Sequence, residues 1–592
     1  MILQALAAYY DRLLADGVVQ PQGFQEKEIP WVVELSSEGH FLRLIRTGDE
    51  EGRGKKFVVP AEVKKSVNIA ANLLWDNPEY VFGWPRPGLT EKQSTKVPQR
   101  HEAFMARLRT LPETVRADVG VSALISFLEA NDFSALQSSD GWEELSRVNA
   151  NVSFRLEGDR NLVCQRPAVK AVLSESVCEA NATDSDDQVW CLVTGRRASA
   201  ARLHPSIKGV RGAQTSGANL VSFNLDAFTS HGWSQGANAP ISEAAAHAYT
   251  TALNHLLSRG NDRHRHIEGD TTFVFWAAAQ TPIEDQFAHL LGSYAADQQE
   301  SDGTPVRDTF ESARRGLRPS LEDQTPFYVL GLAPNAARLA VRLWHEGTVA
   351  ELAHNILCHF DDLEIVGLGR ESNLPGLWRL IGAAARDGDV KKLSDTLRGQ
   401  LASGVMAAIL DRLPYPVTLL ARTVARCRTE QSVWPIRAAL IKALLNRRSP
   451  EREVSLNLDP EEPNVGYRLG RLFAVLENIQ RSAQGDINVT IRDRYFSAAM
   501  TAPRSAFTEL MRLKNAHLKK VRRSNAGLAI HFERSLDQIL DALPPAGGFP
   551  AFLSLDDQGR FILGYHHQRN FRSGGSAETP PESVLDTHET AE

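Results

Sequence analysis

The spacing of apolar residues changes near Pro334, and this change constrains the fold more than any other feature of the chain. Beyond Pro334, apolar side chains recur every three to four residues over most of the sequence, which is the period of an amphipathic α-helix. Pro334 itself suits the first turn of a helix. We predict helices at 336–344, 349–357, 377–385, 417–424 and 435–445. The sequence therefore predicts an all-α C-terminal region.

The residues before this point have a mixed pattern. Helical spacing begins at Ile2 and stops at Asp16-Gly17, and two strand-like runs flank the turn signal Ser36–Gly39. Further helices are predicted at 63–75 and 242–257, and further strands at 161–164, 188–193, 219–223 and 271–276. The fold class predicted is α+β, with a mixed α/β N-terminal region containing small antiparallel sheets, followed by an all-α C-terminal helical bundle.

The chain has 592 residues, enough for two to four domains. The polar segment 297–324 is typical of a solvated linker or long loop. We predict a mixed region at 1–333, a helical connecting region at 334–463, a basic helical bundle at 464–572 and a disordered acidic tail at 573–592.

Composition limits the classes of function. The net charge is −6, so a nucleic-acid-binding role would need cations concentrated locally. The five cysteines form no C-x-x-C pair, which favours reduced thiols in a cytoplasm. Neither a basic leader nor an apolar run of about 18 residues occurs. These features predict a cytoplasmic protein with no membrane association.

One helical stretch is net positive, although the whole chain is net negative. Between Asn464 and Ser535, thirteen Lys and Arg residues face five Asp and Glu residues, and such a surface attracts phosphates without sequence preference. We predict that this bundle binds the backbone of a single-stranded nucleic acid through Arg492, Arg494, Lys514, Lys519, Lys520, Arg522 and Arg523. The interleaved aromatic residues are either stacking platforms or, as their helical spacing favours, core residues: Tyr467, Phe473, Tyr495, Phe496 and Phe507.

Two other segments are candidates for contact with duplex DNA. The predicted helix 63–75 carries Lys64, Lys65, Asn68 and Asn72, and an Asn amide can read a base edge. The alternative is an ordinary amphipathic helix whose Asn residues satisfy neighbouring loops.

The second segment is the loop 204–219. Its three glycines allow positive φ and close approach to a phosphate, while Lys208, Arg211, Gln214 and Ser216 supply charge and polar groups. The alternative is a simple hairpin or crossover turn.

A metal-dependent nuclease is the competing class. Asp262, His264 and His266 supply groups that a divalent metal could use. However, histidines two apart diverge unless they lie on a strand, and no acidic partner at helical spacing completes the site. His566 and His567 diverge on a helix. The sequence contains no nucleotide-binding, zinc-protease or serine-hydrolase motif, so we predict a protein that is not an enzyme and needs no cofactor.

Long blocks of sequence carry a resemblance to a known family. They run nearly end to end, at 70–77, 80–83, 193–195, 201–205, 207–214, 220–224, 238–243, 248–254, 269–276, 328–338, 413–422, 466–477, 491–497 and 561–569. In this order they resemble the large subunit of type I-C CRISPR surveillance complexes (Cascade).

The resemblance implies a function and a set of partners. Such a subunit recognises the protospacer-adjacent motif (PAM) in duplex DNA with its N-terminal domain, aids strand separation, stabilises the R-loop and recruits a helicase-nuclease. This favours a DNA-reading role for the helix with Asn72 over the alternative of an ordinary amphipathic helix. The implied partners are crRNA, target double-stranded DNA and its displaced strand, the backbone and guide-end-capping Cascade subunits, and the helicase-nuclease. The basic bundle would correspond to a small subunit, which can also arise separately by internal translation. The strand that this bundle binds would be the displaced single strand or the guide backbone.

Overall fold

The structure is a computed structural model that describes residues 1–48, 54–63, 69–171, 188–261, 263–291, 324–368, 375–485, 489–544 and 548–571. The chain forms two compact units. The first contains residues 1–209 and 214–258, and the second contains 210–213 and the residues from 259 onward. The predicted tail at 573–592 and nearly all of the predicted linker at 297–324 lie outside the described residues.

A four-stranded sheet organises the first unit. Its order is β3-β2-β6-β5, with β2 parallel to β6 and the other pairs antiparallel, and β1–β4 and β7–β8 form two-stranded ribbons. The strands are β1 (Phe24–Glu28), β2 (Trp31–Leu35), β3 (Phe41–Arg46), β4 (Lys56–Pro60), β5 (Trp75–Asp76), β6 (Val152–Leu156), β7 (Gln188–Trp190) and β8 (Arg197–Ser199). The hairpin predicted around Ser36–Gly39 is confirmed as β2–β3.

The first unit also contains helices. They are α1 (Ile2–Ala15), α2 (Pro78–Val81), α3 (Glu91–Ser94), α4 (Val97–Arg109), α5 (Glu113–Arg116), α6 (Val119–Ala130), α7 (Ser134–Gln137), α8 (Trp142–Val148) and α9 (Glu243–Leu256). The predictions of α1 and α9 are confirmed, and the hydroxyl of Ser242 caps α9 by accepting from the Ala245 N–H. Trp75, Phe104 and Phe154 are fully buried in the core beneath the sheet.

Several local predictions in the first unit are wrong. Residues 69–74 are not helical, and Trp75–Asp76 forms a short strand against β6, so the helix predicted at 63–75 does not exist in its described part. The run at 161–164 is a loop followed by a short 3₁₀ turn, Val163–Gln165, instead of a strand. Among the described residues, the run at 219–223 pairs with no strand. Of the run predicted at 188–193, only the first three residues form a strand.

An antiparallel sheet opens the second unit. Its order is β12-β11-β10-β9, formed by β9 (Arg265–Glu268), β10 (Thr271–Ala277), β11 (Pro326–Asn335) and β12 (Arg338–Thr348). The helix predicted at 336–344 is therefore wrong. Leu343 and His345 are buried, whereas Trp344 is half-buried and Glu346 is exposed, which is the alternation of a strand. Pro334 belongs to β11, and the boundary predicted near Ala333 falls inside this hairpin.

The rest of the second unit is helical. Its helices are α10 (Ile283–Leu291), α11 (Val349–Leu363), α12 (Leu377–Gly382), α13 (Asp395–Leu410), α14 (Val417–Glu430), α15 (Pro435–Arg448), α16 (Val465–Gln484), α17 (Ile491–Thr501), α18 (Pro503–Ser524), α19 (Ala526–Asp541) and α20 (Leu555–Asn570). The predicted α+β fold class, with small antiparallel sheets ahead of an all-helical C-terminal region, is confirmed.

Helices α16 and α20 form the centre of the bundle. Gly470 of α16 lies against the Phe561 carbonyl of α20, and Gly564 lies against the Tyr467 carbonyl. Because glycine has no Cβ, the two backbones approach more closely than larger residues would permit. None of the helices in the described part of the chain is long and apolar enough to cross a membrane.

Candidate nucleic-acid interface

Helix α18 presents the basic residues of the C-terminal bundle. Pro503 occupies its first turn, and Phe507, Leu510, Leu518 and Val521 are buried against the bundle core. This apolar stripe directs the remaining side chains outward. Beyond the end of α18, the Asn525 side chain caps α19 by accepting from the Leu528 N–H at 3.0 Å, so α19 follows α18 directly.

An open groove of about 540 Å³ lies between α18 and α19. It is lined by Lys514, Asn515, Leu518, Lys519 and Arg522 of α18 and by Glu533, Leu536 and Asp537 of α19. Arg522 donates to the Glu533 carboxylate and is thereby neutralised. The groove is consequently polar and mixed in charge, and its net positive character comes from the two lysines.

Four cations of α18, two of which line the groove, form a positive surface. Lys519, Lys520 and Arg523 are exposed and Lys514 is half-buried. Within the described part of the chain, no carboxylate lies within ion-pair distance of these four side chains. We name these four residues the α18 cation strip. Three of the four side chains are exposed and none of the four forms an ion pair in the described structure, so the strip can contact a phosphate backbone.

Other cations of the basic segment have structural roles. Arg471 is buried and donates to Gln568 and to the Pro460 carbonyl, and Arg468 donates to the Glu462 carbonyl. Arg492 is only about 31% exposed and lies 4.0 Å from the Glu477 carboxylate, whereas Arg494 is exposed. The sequence count of thirteen cations therefore overstates the charge available to a ligand.

The aromatic residues of this segment belong to the core. Phe473 packs edge-on against Phe496, Phe507 and Tyr565, and all four are buried. Tyr467 is also fully buried, and Tyr495 packs half-buried against the same core. The core interpretation is confirmed, and these rings are not platforms for bases.

The loop 204–219 is held at its base and exposed at its tip. Backbone hydrogen bonds join Ile207 and Ala218 in both directions, and the Lys208 N–H donates to Asn254 Oδ1 at 2.8 Å. Gly209, Gly212 and Gly217 all have positive φ, as expected from the sequence.

The candidate side chains of this loop reach solvent. Lys208, Arg211, Gln214 and Ser216 are all exposed. Arg211 lies 3.5 Å from the Asp395 carboxylate, and its backbone N–H donates to Thr272. The loop therefore offers accessible polar groups, with the charge of Arg211 partly balanced.

Asn72 has a different environment from the one predicted. It is 1% exposed, its Oδ1 accepts from the Val63 N–H at 3.0 Å, and its own N–H donates to Asp76 Oδ2 at 2.9 Å. The amide fixes the chain as it enters β5, so in this structure it does not meet a base edge. Lys64, Lys65 and Asn68 lie outside the described residues.

The proposed metal-nuclease residues are only partly described. His266 lies on β9, directly after His264 and Arg265, and packs against the Phe273 ring, while His264 Nδ1 lies 3.1 Å from the Phe275 carbonyl oxygen. Burial lowers the pKa of His266 to about 4. Asp262 is outside the described residues, and among the residues that are described no cluster of three or more His, Cys, Asp or Glu could hold a metal ion.

Three buried histidine–tyrosine pairs escaped the sequence analysis. Nδ1 of the histidine lies within hydrogen-bond distance of the tyrosine oxygen in His204–Tyr249 (2.6 Å), His359–Tyr415 (2.6 Å) and His567–Tyr467 (2.8 Å). The two partners of each pair are 45 to 100 residues apart in sequence, so no local sequence pattern predicts these pairs. The third pair places His567 in the core of the bundle.

Comparison with known proteins places the chain in a family. The family model described as CRISPR-associated protein (Cas_Csd1) matches residues 6–572, which is nearly the whole chain. A search of curated proteins finds no match. The match spans both compact units and includes the α18 cation strip and the loop 204–219. The chain therefore belongs to the Cas_Csd1 family of CRISPR-associated proteins.

Proposed function

We propose that this chain is the large, non-catalytic subunit of a type I-C CRISPR surveillance complex. In this role it recognises the PAM in duplex DNA, helps to separate the strands, stabilises the R-loop and recruits a helicase-nuclease that cuts. Its partners are crRNA, the target DNA and the other complex subunits, and it acts in the cytoplasm. Family membership over residues 6–572 supports this assignment.

The α18 cation strip is the observation on which the nucleic-acid role rests. Three of its four side chains are exposed, and none of the four has an ion-pair partner in the described structure, in a chain whose net charge is −6. A local concentration of uncompensated cations on an acidic protein favours a polyanionic ligand. We assign to this strip the backbone of the displaced single strand or of the guide.

The loop 204–219 is the better supported of the two candidate duplex contacts. Lys208, Gln214 and Ser216 are exposed, whereas Asn72 is buried and its amide oxygen is already bonded. Glycines at positive φ leave the loop backbone open to close approach. We assign the first contact with the flanked duplex to this loop.

The test uses the full chain assembled with crRNA and its sister subunits. The triple variant K519E/K520E/R523E should weaken R-loop formation on a flanked plasmid, measured by permanganate reactivity of the displaced strand. R512E is the matched control, because Arg512 is an exposed cation of the same helix that already pairs with Glu509. Arg522 is left intact to preserve its pair with Glu533.

Two results would contradict the proposal. If the triple variant and R512E open the plasmid equally well, the strip does not hold a strand. If the purified wild-type chain nicks DNA and loses this activity on chelation, the non-catalytic assignment is wrong and the nuclease hypothesis takes its place.

A further inference from the structure

The segment 188–241 exposes an unusual set of large apolar side chains. Trp190 is 66% exposed, Leu192 60%, Leu203 62% and Trp233 52%. Leu225 in the same segment is also exposed. Single exposed apolar residues are common, but several in one small substructure indicate an interaction surface.

Backbone hydrogen bonds hold these residues in one substructure of the first unit. Trp190 pairs with Arg197 across β7–β8, and the Leu192 N–H donates to the Pro240 carbonyl at 2.9 Å. Near the other tryptophan, the Asn238 amide donates to the Trp233 carbonyl at 3.1 Å.

The segment between the two tryptophans is tied to the same framework. The Ala201 N–H donates to Ile241, and the Gly236 N–H donates to the Arg202 carbonyl at 3.1 Å. The connections thus link both indoles to one backbone frame. We name the segment 188–209 together with 214–241 the tryptophan lobe.

Charge favours one kind of ligand for this lobe. Its cations are Arg196, Arg197, Arg202 and Lys208, all exposed, while Asp226 is its only acidic residue in the sequence. A substructure that combines exposed indoles with arginines and almost no carboxylates is complementary to a nucleic-acid strand with unpaired bases.

We propose that the tryptophan lobe binds single-stranded nucleic acid, with bases stacked on Trp190 and Trp233 and phosphates held by Arg196, Arg197 and Arg202. This is a second strand-binding surface, separate in sequence from the α18 cation strip. It depends on the residues of the first unit alone.

A nearby cavity decides between stacking and base insertion. It is lined by residues that include His204, Asn219 and Gln235, and its volume is about 40 Å³. His204 Nε2 and Gln235 Oε1 have no protein partner there within the described structure. Such a cavity has room for a few water molecules at most, so a base stays outside it. The bases are therefore bound by stacking on the exposed indoles, and this kind of binding accepts any nucleotide sequence.

The experiment measures binding of a fluorescein-labelled oligothymidine to the full chain by anisotropy at low salt. It is done in the K519E/K520E/R523E background, so that the second unit contributes little. W190L/W233L keeps apolar area but removes both π faces, and should weaken binding by about tenfold or more, given the strength of base–aromatic stacking. W190F/W233F should restore most of it.

A matched control and a second measurement separate loss of base stacking from a general effect of substitution. F552L changes another exposed aromatic residue, 80% exposed in the second unit, and should leave binding unchanged. Oligothymidine should quench the tryptophan emission of the parent chain more than that of W190F/W233F. A circular-dichroism melting curve shows whether each variant remains folded.

Three outcomes would overturn the proposal. Equal affinity of W190L/W233L and its parent would exclude stacking, and so would equal quenching in the Phe variant. Normal oligonucleotide binding with failed assembly onto sister subunits would identify the lobe as a protein-docking surface. None of these results bears on the α18 cation strip, whose test uses different residues.

Discussion

The carbonyl group of Phe561 in α20 lies directly against Gly470 in α16, with no room for a Cβ between the helices. Because the opposing atom is backbone, the clash in Gly470→Ala can be relieved only by moving a helix. Such overpacking costs about 1 to 3 kcal/mol. We expect Gly470→Ala to lower the free energy of unfolding by about this amount, measured by urea denaturation of the full chain.

Gly527→Ala is the matched control for this substitution. Gly527 is also helical, but a Cβ there would meet only the Asn525 side chain, at an ordinary distance of 3.6 Å. Alanine favours the helix by up to about 1 kcal/mol over glycine, so this variant should be equal to or more stable than wild type. Similar destabilisation of both variants would contradict the close packing of α16 and α20.

The buried pair His359–Tyr415 predicts a pH dependence of stability. Burial, together with the nearby charge of Arg447, lowers the pKa of His359 to about 3. Below the ordinary histidine pKa of about 6.5 the unfolded chain binds a proton that the folded chain does not. Stability should therefore fall as pH decreases through 6.5, by about 1.4 kcal/mol per pH unit for this residue.

The measurement is the slope of unfolding free energy against pH between 7 and 5. The double variant H359L/Y415F removes the imidazole together with its hydroxyl partner, and its slope should be shallower than that of wild type by about the contribution of one proton. F552L, at an exposed position with no titratable group, should keep the wild-type slope. A double variant with an unchanged slope would show that His359 is not held neutral.

The sequence predicted the fold class well where periodicity was long and consistent. Helices α1, α14 and α15 follow the apolar spacing of their segments, and the β2–β3 hairpin follows its turn signal. The failures share a cause. Short apolar runs such as 338–344 fit both a helix and a strand period, and the choice is made by pairing with distant residues, here β11 with β12.

The sequence identified the residue types of the candidate site but not which of these side chains are accessible to a ligand. The sequence identifies Arg471, Arg492 and Lys520 equally as cations, and only the fold separates a buried donor to carbonyls from an exposed charge. The same limit applies to Asn72, whose partner Val63 becomes known only when the segment is seen not to be helical. Burial is a tertiary property, so a local pattern cannot report it.

Asn72→Ala is expected to act through stability. The substitution leaves the Val63 N–H without its buried acceptor, which costs about 1 to 3 kcal/mol. We expect a lower thermal midpoint, and equal weakening of binding to duplexes with and without the correct flanking motif. Loss confined to the correctly flanked duplex, with an unchanged midpoint, would instead restore Asn72 as a residue that reads DNA.

Lys208→Ala serves as the comparison at an exposed position. Its side chain reaches solvent and only its backbone is bonded, to Asn254. The variant should keep the wild-type thermal midpoint while binding the flanked duplex less tightly. An unaltered affinity would remove Lys208 from the proposed interface.

Arg492 and Arg494 form a natural pair for separating structural from binding cations. Arg492 lies 4.0 Å from Glu477, a buried carboxylate that also accepts from the Tyr565 hydroxyl at 2.7 Å, and Arg494 is exposed on the same helix. Arg492→Gln should lower the unfolding free energy by about 1 kcal/mol, since Arg481 remains near Glu477 and solvent screens the partly exposed pair.

Arg494→Gln should leave stability unchanged and alter only binding. Removing one cation that neutralises a phosphate of a single strand reduces the slope of log affinity against log salt by about 0.7. The affinity of the assembled complex for a single-stranded target, measured from 50 to about 200 mM salt, gives this slope. The opposite result would be a reduced salt slope with wild-type stability for Arg492→Gln and an unchanged salt slope for Arg494→Gln. It would make Arg492 the binding residue and place the strand on the other side of α17.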